Sequence, residues 1–335
     1  MREPREIRPA VLGLRLLAVA AYAAALTTYT AVFGLPKQTL AAVAWIWLAI
    51  IAWNIRRSWR YHFSFMRDWW PSLALLTVYL YSRGISDDLG FVGVHVTEPI
   101  AADRWLFGGV LPTEFLQSQL CGDPCDRTSP AQWYDVALTT VYYSHFFVAL
   151  GVGGWLWVRN RPQWVRYMRR YLSLTALALA VYITYPMAPP WMASRDGYVT
   201  PDIARLTGRG WRPLSAERDG ATGHEHFSAV GNQVAAMPSL HAALAIFVAW
   251  YGIRRLRSEW RWLLLLYPLA MSLMLVYYAE HYVVDVVAGA AAVALVLAGS
   301  AWWERWRALP TTERQRTHLQ AARPIERHLT SSGAS

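Results

Sequence analysis

Apolar runs of about 20 residues recur along this chain, with short arginine-rich segments between them. Twenty apolar residues is the length an α-helix needs to cross the hydrocarbon of a bilayer. Hydrophobic residues make up 55% of the 335 positions and charged residues 16%, so a water-soluble surface could cover little of the chain. The expected fold class is therefore all-α, a polytopic membrane helix bundle. Eight spans are expected, near 10–33, 39–54, 71–86, 132–158, 171–187, 236–253, 262–280 and 283–303. The apolar part of the first is too long for a signal peptide and is read as an anchor.

The net charge of +10 comes almost wholly from arginine. It falls at the N-terminus (Arg2, Arg5, Arg8), in three loops (Arg56, Arg57, Arg60, Arg67; Arg159, Arg161, Arg166, Arg169, Arg170; Arg254, Arg255, Arg257, Arg261) and in the tail (Arg305, Arg307, Arg314, Arg316). With eight spans all five clusters lie on one side, which the positive-inside rule makes cytoplasmic. This distribution argues against a nucleic-acid partner and for the bilayer itself. Two long loops, about 87–131 and 188–235, then lie outside. Cys121 and Cys125 stand in the first of them, flanking Gly-Asp-Pro, where an oxidising compartment permits a disulfide; two free thiols or half a metal site are the alternatives. No internal repeat is present.

Two short motifs carry the chemistry: Met237-Pro238-Ser239-Leu240-His241 and His281-Tyr282-Val283-Val284-Asp285. Each opens an apolar helix at the outer side. A histidine and a carboxylate at the mouth of a membrane bundle are expensive to place there without a use. Pro238 suits the first turn of a helix. Ser239 and the free amides of that turn can receive a phosphate oxygen. His281 and Asp285, at i and i+4, share a helix face, so the carboxylate can hold one ring nitrogen and leave the other to attack. His241 is the expected proton donor. A zinc site built from His241, His281 and Asp285 is a second possibility, with His224-Glu225-His226 in the adjacent loop. A transporter or scaffold, with these polar groups lining a solute path, is a third.

Pro238-Ser239-Leu240-His241-Ala242-Ala243 followed by Glu280-His281-Tyr282-Val283-Val284-Asp285-Val286-Val287-Ala288-Gly289 resembles the type 2 phosphatidic acid phosphatase superfamily. Tyr185-Pro186-Met187-Ala188-Pro189-Pro190-Trp191, Asp103 to Gly108, Leu111 to Glu114, Tyr142 to Phe146 and Ala235 to Met237 resemble its inositol phosphorylceramide synthase-like branch. The resemblance covers about 70–303. It implies a six-helix membrane core with a metal-independent site and no cofactor. His281 would form phosphohistidine, Asp285 would orient it, and His241 would protonate the leaving alcohol and activate the acceptor. The donor would be a membrane lipid, with inositol phosphate as the head group. The acceptor would be a lipid or polyol alcohol, or water in a phosphatase acting on lipid phosphates or polyprenyl pyrophosphates. The expected location is a bacterial plasma membrane with the site on the extracytoplasmic face. Residues 1–70 would add two helices to the 71–303 core, and 304–335 would be a polar cytoplasmic tail.

The chain departs from the superfamily pattern in two places. Met274 and Leu275 stand where the third motif begins Ser-Arg, and the first motif, Lys-x6-Arg-Pro, is matched only by Arg205 to Arg212-Pro213 with arginine for lysine. A phosphate in a low-dielectric site still needs cations, and arginine suits it best. Arg83, Arg104, Arg195, Arg205 and Arg212 are the candidates, with Arg83 first because an arginine within a span is costly unless used; snorkelling to the interface is the alternative for it. His145, inside the fourth span, is either a core histidine bonded to a tyrosine or serine or part of the substrate site. Asp103, with Asp87, Asp88 and Glu98, either binds polyol hydroxyls or belongs to a solvated loop.

Overall fold

A computed structural model describes residues 9–33, 39–88, 93–122, 125, 129–200, 202–214 and 233–329. The described residues are helical, without a strand among them, and the chain divides into two compact units, Met1–Leu76 and Thr77–Ser335.

In the first unit α1 (Pro9–Phe33) packs on α2 (Thr39–Trp53). Tyr22 and Tyr29 are two helical turns apart and so share a face; both rings meet Trp45 of α2, at centroid distances of 5.8 and 5.3 Å. Helix α3 (Trp59–Asp88) begins in this unit, where the Trp47 indole N–H donates to the His62 carbonyl at 2.9 Å.

The second unit holds the two histidine motifs. Its short helices are α4 (Thr97–Leu106), α5 (Pro112–Leu120) and α8 (Pro190–Arg195); its long ones are α6 (Trp133–Arg159), α7 (Arg161–Thr184), α9 (Leu240–Arg255), α10 (Leu266–Tyr277) and α11 (Val283–Leu329). Helix α9 is the hub and touches α6, α7, α10 and α11. Its sequence explains this. Ala242, Ala243, Ala245 and Ala249 are all buried, and small side chains let neighbouring backbones approach closely. Ser239 caps its start, accepting from the Ala242 N–H at 3.3 Å, and Arg254 and Arg255 sit in the last turn, where the helix dipole favours cations.

The passage from α10 to α11 is abrupt. Ala279 adopts φ 62°, a left-handed conformation that costs a residue with a Cβ about 1–2 kcal/mol. The Glu280 and His281 N–H groups fold back onto the Leu275 carbonyl at 2.9 and 3.1 Å. Nearby, isolated bridges tie His95 to Met187 and Met187 to Ala235. The loop 202–214 is also fastened. Gln117 of α5 donates to the Ala204 and Tyr277 carbonyls, at 2.7 and 3.0 Å, and accepts from the Ala204 N–H at 3.0 Å. Arg209 is buried beside Asp135, with Nε 3.4 Å from the carboxylate, and donates to the Pro130 carbonyl at 2.6 Å and to the Cys121 sulfur at 2.7 Å. Cys121 and Cys125 are joined as a disulfide.

Each of the eight segments expected to span overlaps helix, but among the described residues three stretches are long and apolar enough to cross a membrane: Gly13–Val32, Glu259–Tyr277 and Val283–Arg307. A fourth is added if the two halves of α6, bent by 47°, form one span. Charge and length explain the difference. Helix α7 carries Arg161, Arg166, Arg169 and Arg170 in its first turns, α3 carries Arg60, Arg67 and Asp68, and α9 has only 16 residues. Helix α11 also runs beyond 303, to Leu329, because the tail is rich in helix-forming Arg, Glu, Leu and Ala.

Candidate active site

The start of α9 and the start of α11 are locked together by backbone. The Ser239 N–H donates to the Asp285 carbonyl at 3.0 Å. One turn further along α11, a Cβ on Gly289 would stand 2.6 Å from the Ser239 carbonyl oxygen and 3.5 Å from the Ala243 nitrogen. Only glycine lets the two helices meet this closely. The Tyr182 hydroxyl of α7 donates to the Pro238 carbonyl at 2.8 Å and fixes the turn before Ser239.

This junction brings His241 and His281 together, with ring centroids 5.7 Å apart and planes at 60°. His281 is buried, and its Nδ1 lies 3.3 Å from Oδ2 of the fully buried Asp285. The same oxygen accepts from the Tyr282 N–H at 2.9 Å, so the carboxylate is oriented by backbone before it orients the ring. With Nδ1 turned to Asp285, the free position of the imidazole is Nε2. His241 is flanked from α6 by Tyr142, stacked at 5.1 Å and 18°, and by His145, whose ring centre is 4.1 Å away. His145 therefore belongs to the cluster rather than to a distant part of the core.

Arg205 is joined to the cluster through Glu280, the neighbour of His281. Its Nε and a terminal nitrogen donate to the two Glu280 oxygens at 2.7 and 3.2 Å, its guanidinium lies 4.3 Å from the centre of the Trp191 ring, and the Thr207 hydroxyl also donates to Glu280. Trp191 is itself anchored, its N–H donating to the Ala279 carbonyl at 3.2 Å.

Asp103 takes a different place. Its oxygens accept from the Val283 and Val284 N–H groups at 2.8 and 2.9 Å, so a buried carboxylate of α4 closes the N-terminus of α11. Burial pushes its pKa above the ordinary value, against the pull of those two amides. Its contacts are with the helix that carries His281 and Asp285. Arg104, next in sequence, is half-buried on α4. Arg195 pairs with its exposed neighbour Asp196 at 2.7 Å. Arg83 lies in α3 and Arg212 in the 3-10 turn Arg209–Leu214, but their side chains, like His224-Glu225-His226, fall outside the described residues.

Sequence reasoning passed over Tyr142 and Glu280 as site residues, although both stand inside the motifs it quoted. Gln117 and the Arg209–Asp135 pair carried no signal, since their partners are 68 or more positions away or are backbone atoms. Among the described residues no group of three His, Cys, Asp or Glu side chains is placed to hold a metal ion.

No curated protein and no solved structure matches the chain. A family model described as the PAP2 superfamily does, over residues 126–299, just over half of the sequence. The matched region holds α6, α7, α9, α10 and the start of α11, and with them both histidines, Asp285, Ser239, Arg205 and Glu280. Its apolar helices fit an integral membrane protein, and a phosphatase-like function follows from the match. The chain that converges on this pair of imidazoles belongs to the PAP2 superfamily.

Proposed function

We propose that the protein is a membrane phosphotransferase that moves a phospho-head group from a lipid to an alcohol through a phosphohistidine. The observation that carries this reading is the convergence of His281, held by Asp285, and His241 within 5.7 Å, a gap that one phosphate can bridge with hydrogen bonds to both rings. Nε2 of His281 attacks phosphorus. An N–P bond forms and the P–O bond to the diacylglycerol breaks, while His241 gives its proton to the departing oxygen. Asp285 stabilises the imidazolium character that develops on His281. In the second half, the acceptor O–H returns a proton to His241, its oxygen bonds to phosphorus, and the N–P bond breaks. Ser239 and the free amides of the first turn of α9 offer hydrogen bonds to the phosphate, and Arg205, already beside His281 through Glu280, supplies the nearby cation.

Inositol phosphate is the proposed head group. The segments that resemble the inositol phosphorylceramide synthase-like branch support it, since they surround the histidines: Tyr142 and His145 flank His241, Trp191 lies against Arg205, and Asp103 caps α11. The same reading has eight spans, a six-helix core and a site open to the extracytoplasmic side. Its support is the position of Arg254 and Arg255 at the end of α9 opposite His241. A phosphatase using water as acceptor is the second reading, favoured by the family match itself.

Phosphatidylinositol labelled with 32P at its phosphate tests the proposal. Purified protein should retain acid-labile, base-stable label, and His281→Ala should retain none. Label on His281→Ala, or none on the native protein with either phosphatidylinositol or phosphatidic acid, overturns the covalent mechanism. Product that needs an added alcohol identifies the transferase, whereas free phosphate released without one identifies the phosphatase.

A further inference from the structure

At the far end of α9 from the histidines, about 20 Å along the helix axis at 1.5 Å per residue, a second polar site is built between α7 and α9. A pocket of about 180 Å³ is lined by Gln163, Arg166 and Arg170 of α7 and by Trp250, Tyr251, Arg254 and Arg255 of α9. Four of these seven residues are cations and none is an acid. Arg170 and Arg254 both lie against Trp250, at 5.7 and 5.6 Å from its ring centre, so their guanidinium carbons are within about 11 Å of each other. Arg255 lies over Tyr251 at 5.1 Å. Glu304 of α11 is shared between Arg169 and Arg170 at 2.5 and 3.3 Å, and no ion pair to Arg166, Arg254 or Arg255 is present among the described residues. Two buried polar atoms of the lining, Nε of Arg170 and the Tyr251 hydroxyl, have no hydrogen-bond partner among the described residues. Like charges gathered around unused donors raise the energy of the empty pocket, and an anion relieves it.

We propose that this pocket binds the phosphate of an anionic phospholipid, in the leaflet opposite the one that faces the histidines. The surroundings favour a lipid over a soluble phosphate ester. Val165 beside Arg166, Leu256 beside Arg255, and Trp302 and Trp306 flanking Glu304 are all large and exposed, which gives acyl chains an apolar bed at the level of the cations. Basic pockets between membrane helices on the cytoplasmic side have the chemistry that anionic head groups need. The site does not depend on the phosphohistidine mechanism, and its test reads binding rather than turnover.

The full-length protein in phosphatidylcholine–detergent micelles is titrated with dioleoylphosphatidylglycerol, and in a parallel arm with glycerol phosphate, the melting temperature being the readout. The lipid should raise it by about 5 °C at saturation. Arg166→Gln with Arg254→Gln should weaken the apparent affinity roughly 30-fold, the loss of two cations near an anionic head group. Gln163→Glu is the second variant. It sets an acid in the lining at a helix position where an acid is welcome, so the fold is kept, and it should weaken the lipid as well. An equal rise with glycerol phosphate overturns the lipid assignment. No rise in the native protein, or an unchanged titration in Gln163→Glu, overturns the site.

Discussion

Oδ2 of Asp285 serves two donors at once, the His281 ring and the Tyr282 N–H. An asparagine oxygen in that place can still accept from both donors, but it carries no charge to stabilise the imidazolium that forms on His281. Asp285→Asn should therefore fold and insert normally while turnover falls roughly 10²–10⁴-fold, the range of a lost acid–base arrangement. Comparing kcat with the melting temperature of the same preparation checks it: a variant that loses stability in proportion would make Asp285 a packing residue. Glu280 shows a different economy of placement. It follows the strained Ala279 and precedes His281, so one tight turn points a carboxylate at Arg205 and an imidazole at His241.

Between elements, the closeness of α9 and α11 sets the distance between the two imidazoles, and a missing side chain sets that closeness. Gly289→Ala places a methyl group 2.6 Å from a backbone oxygen that cannot rotate away. It should cost about 1–3 kcal/mol of stability and lower kcat more than a distant surface change of equal cost, as measured by paired thermal and turnover assays. Asp103→Ala removes the carboxylate from the Val283 and Val284 amides. It should cost about 1–2 kcal/mol in denaturant or heat unfolding and loosen the helix start that carries Asp285. The long helices and both motifs were legible beforehand because apolar run length, Pro-Ser before His241 and the four-residue spacing of His281 and Asp285 are all local, whereas α4, α5 and α8 fall in segments read as outer loops. Asp103 was not: its partners lie 180 and 181 positions away and are backbone amides, so its place in an acidic loop left polyol hydroxyls and plain solvent as the two readings. Arg205 was one of five arginine candidates, and only folding selects Glu280, 75 positions on, as its partner. The span count differs for a related reason. Arg161, Arg166, Arg169 and Arg170 take up the first turns of α7 and leave it without a stretch both long and apolar enough by length and hydropathy, although the apolar run after them reads as a span in the sequence.

At the scale of the molecule, the second unit is a bundle whose loop 202–214 is riveted to α6 and to the disulfide loop through Arg209. Its guanidinium is buried against Asp135, the Pro130 carbonyl and the Cys121 sulfur. Arg209→Met leaves Asp135 charged and buried without its cation. It should cost about 3–5 kcal/mol in thermal or chemical unfolding, and Asp135→Asn added to it should recover part of the loss. The histidine cluster lies at one end of α9 and the arginine pocket at the other, so one 16-residue helix carries both polar ends of the unit. The short helices α4 and α5 lie off this axis, and through Asp103 and Gln117 they set the posture of α11 and of the Arg205 loop. A random screen for inactive clones should accordingly return lesions scattered through residues 97–120, in a stretch whose own side chains need never meet the lipid.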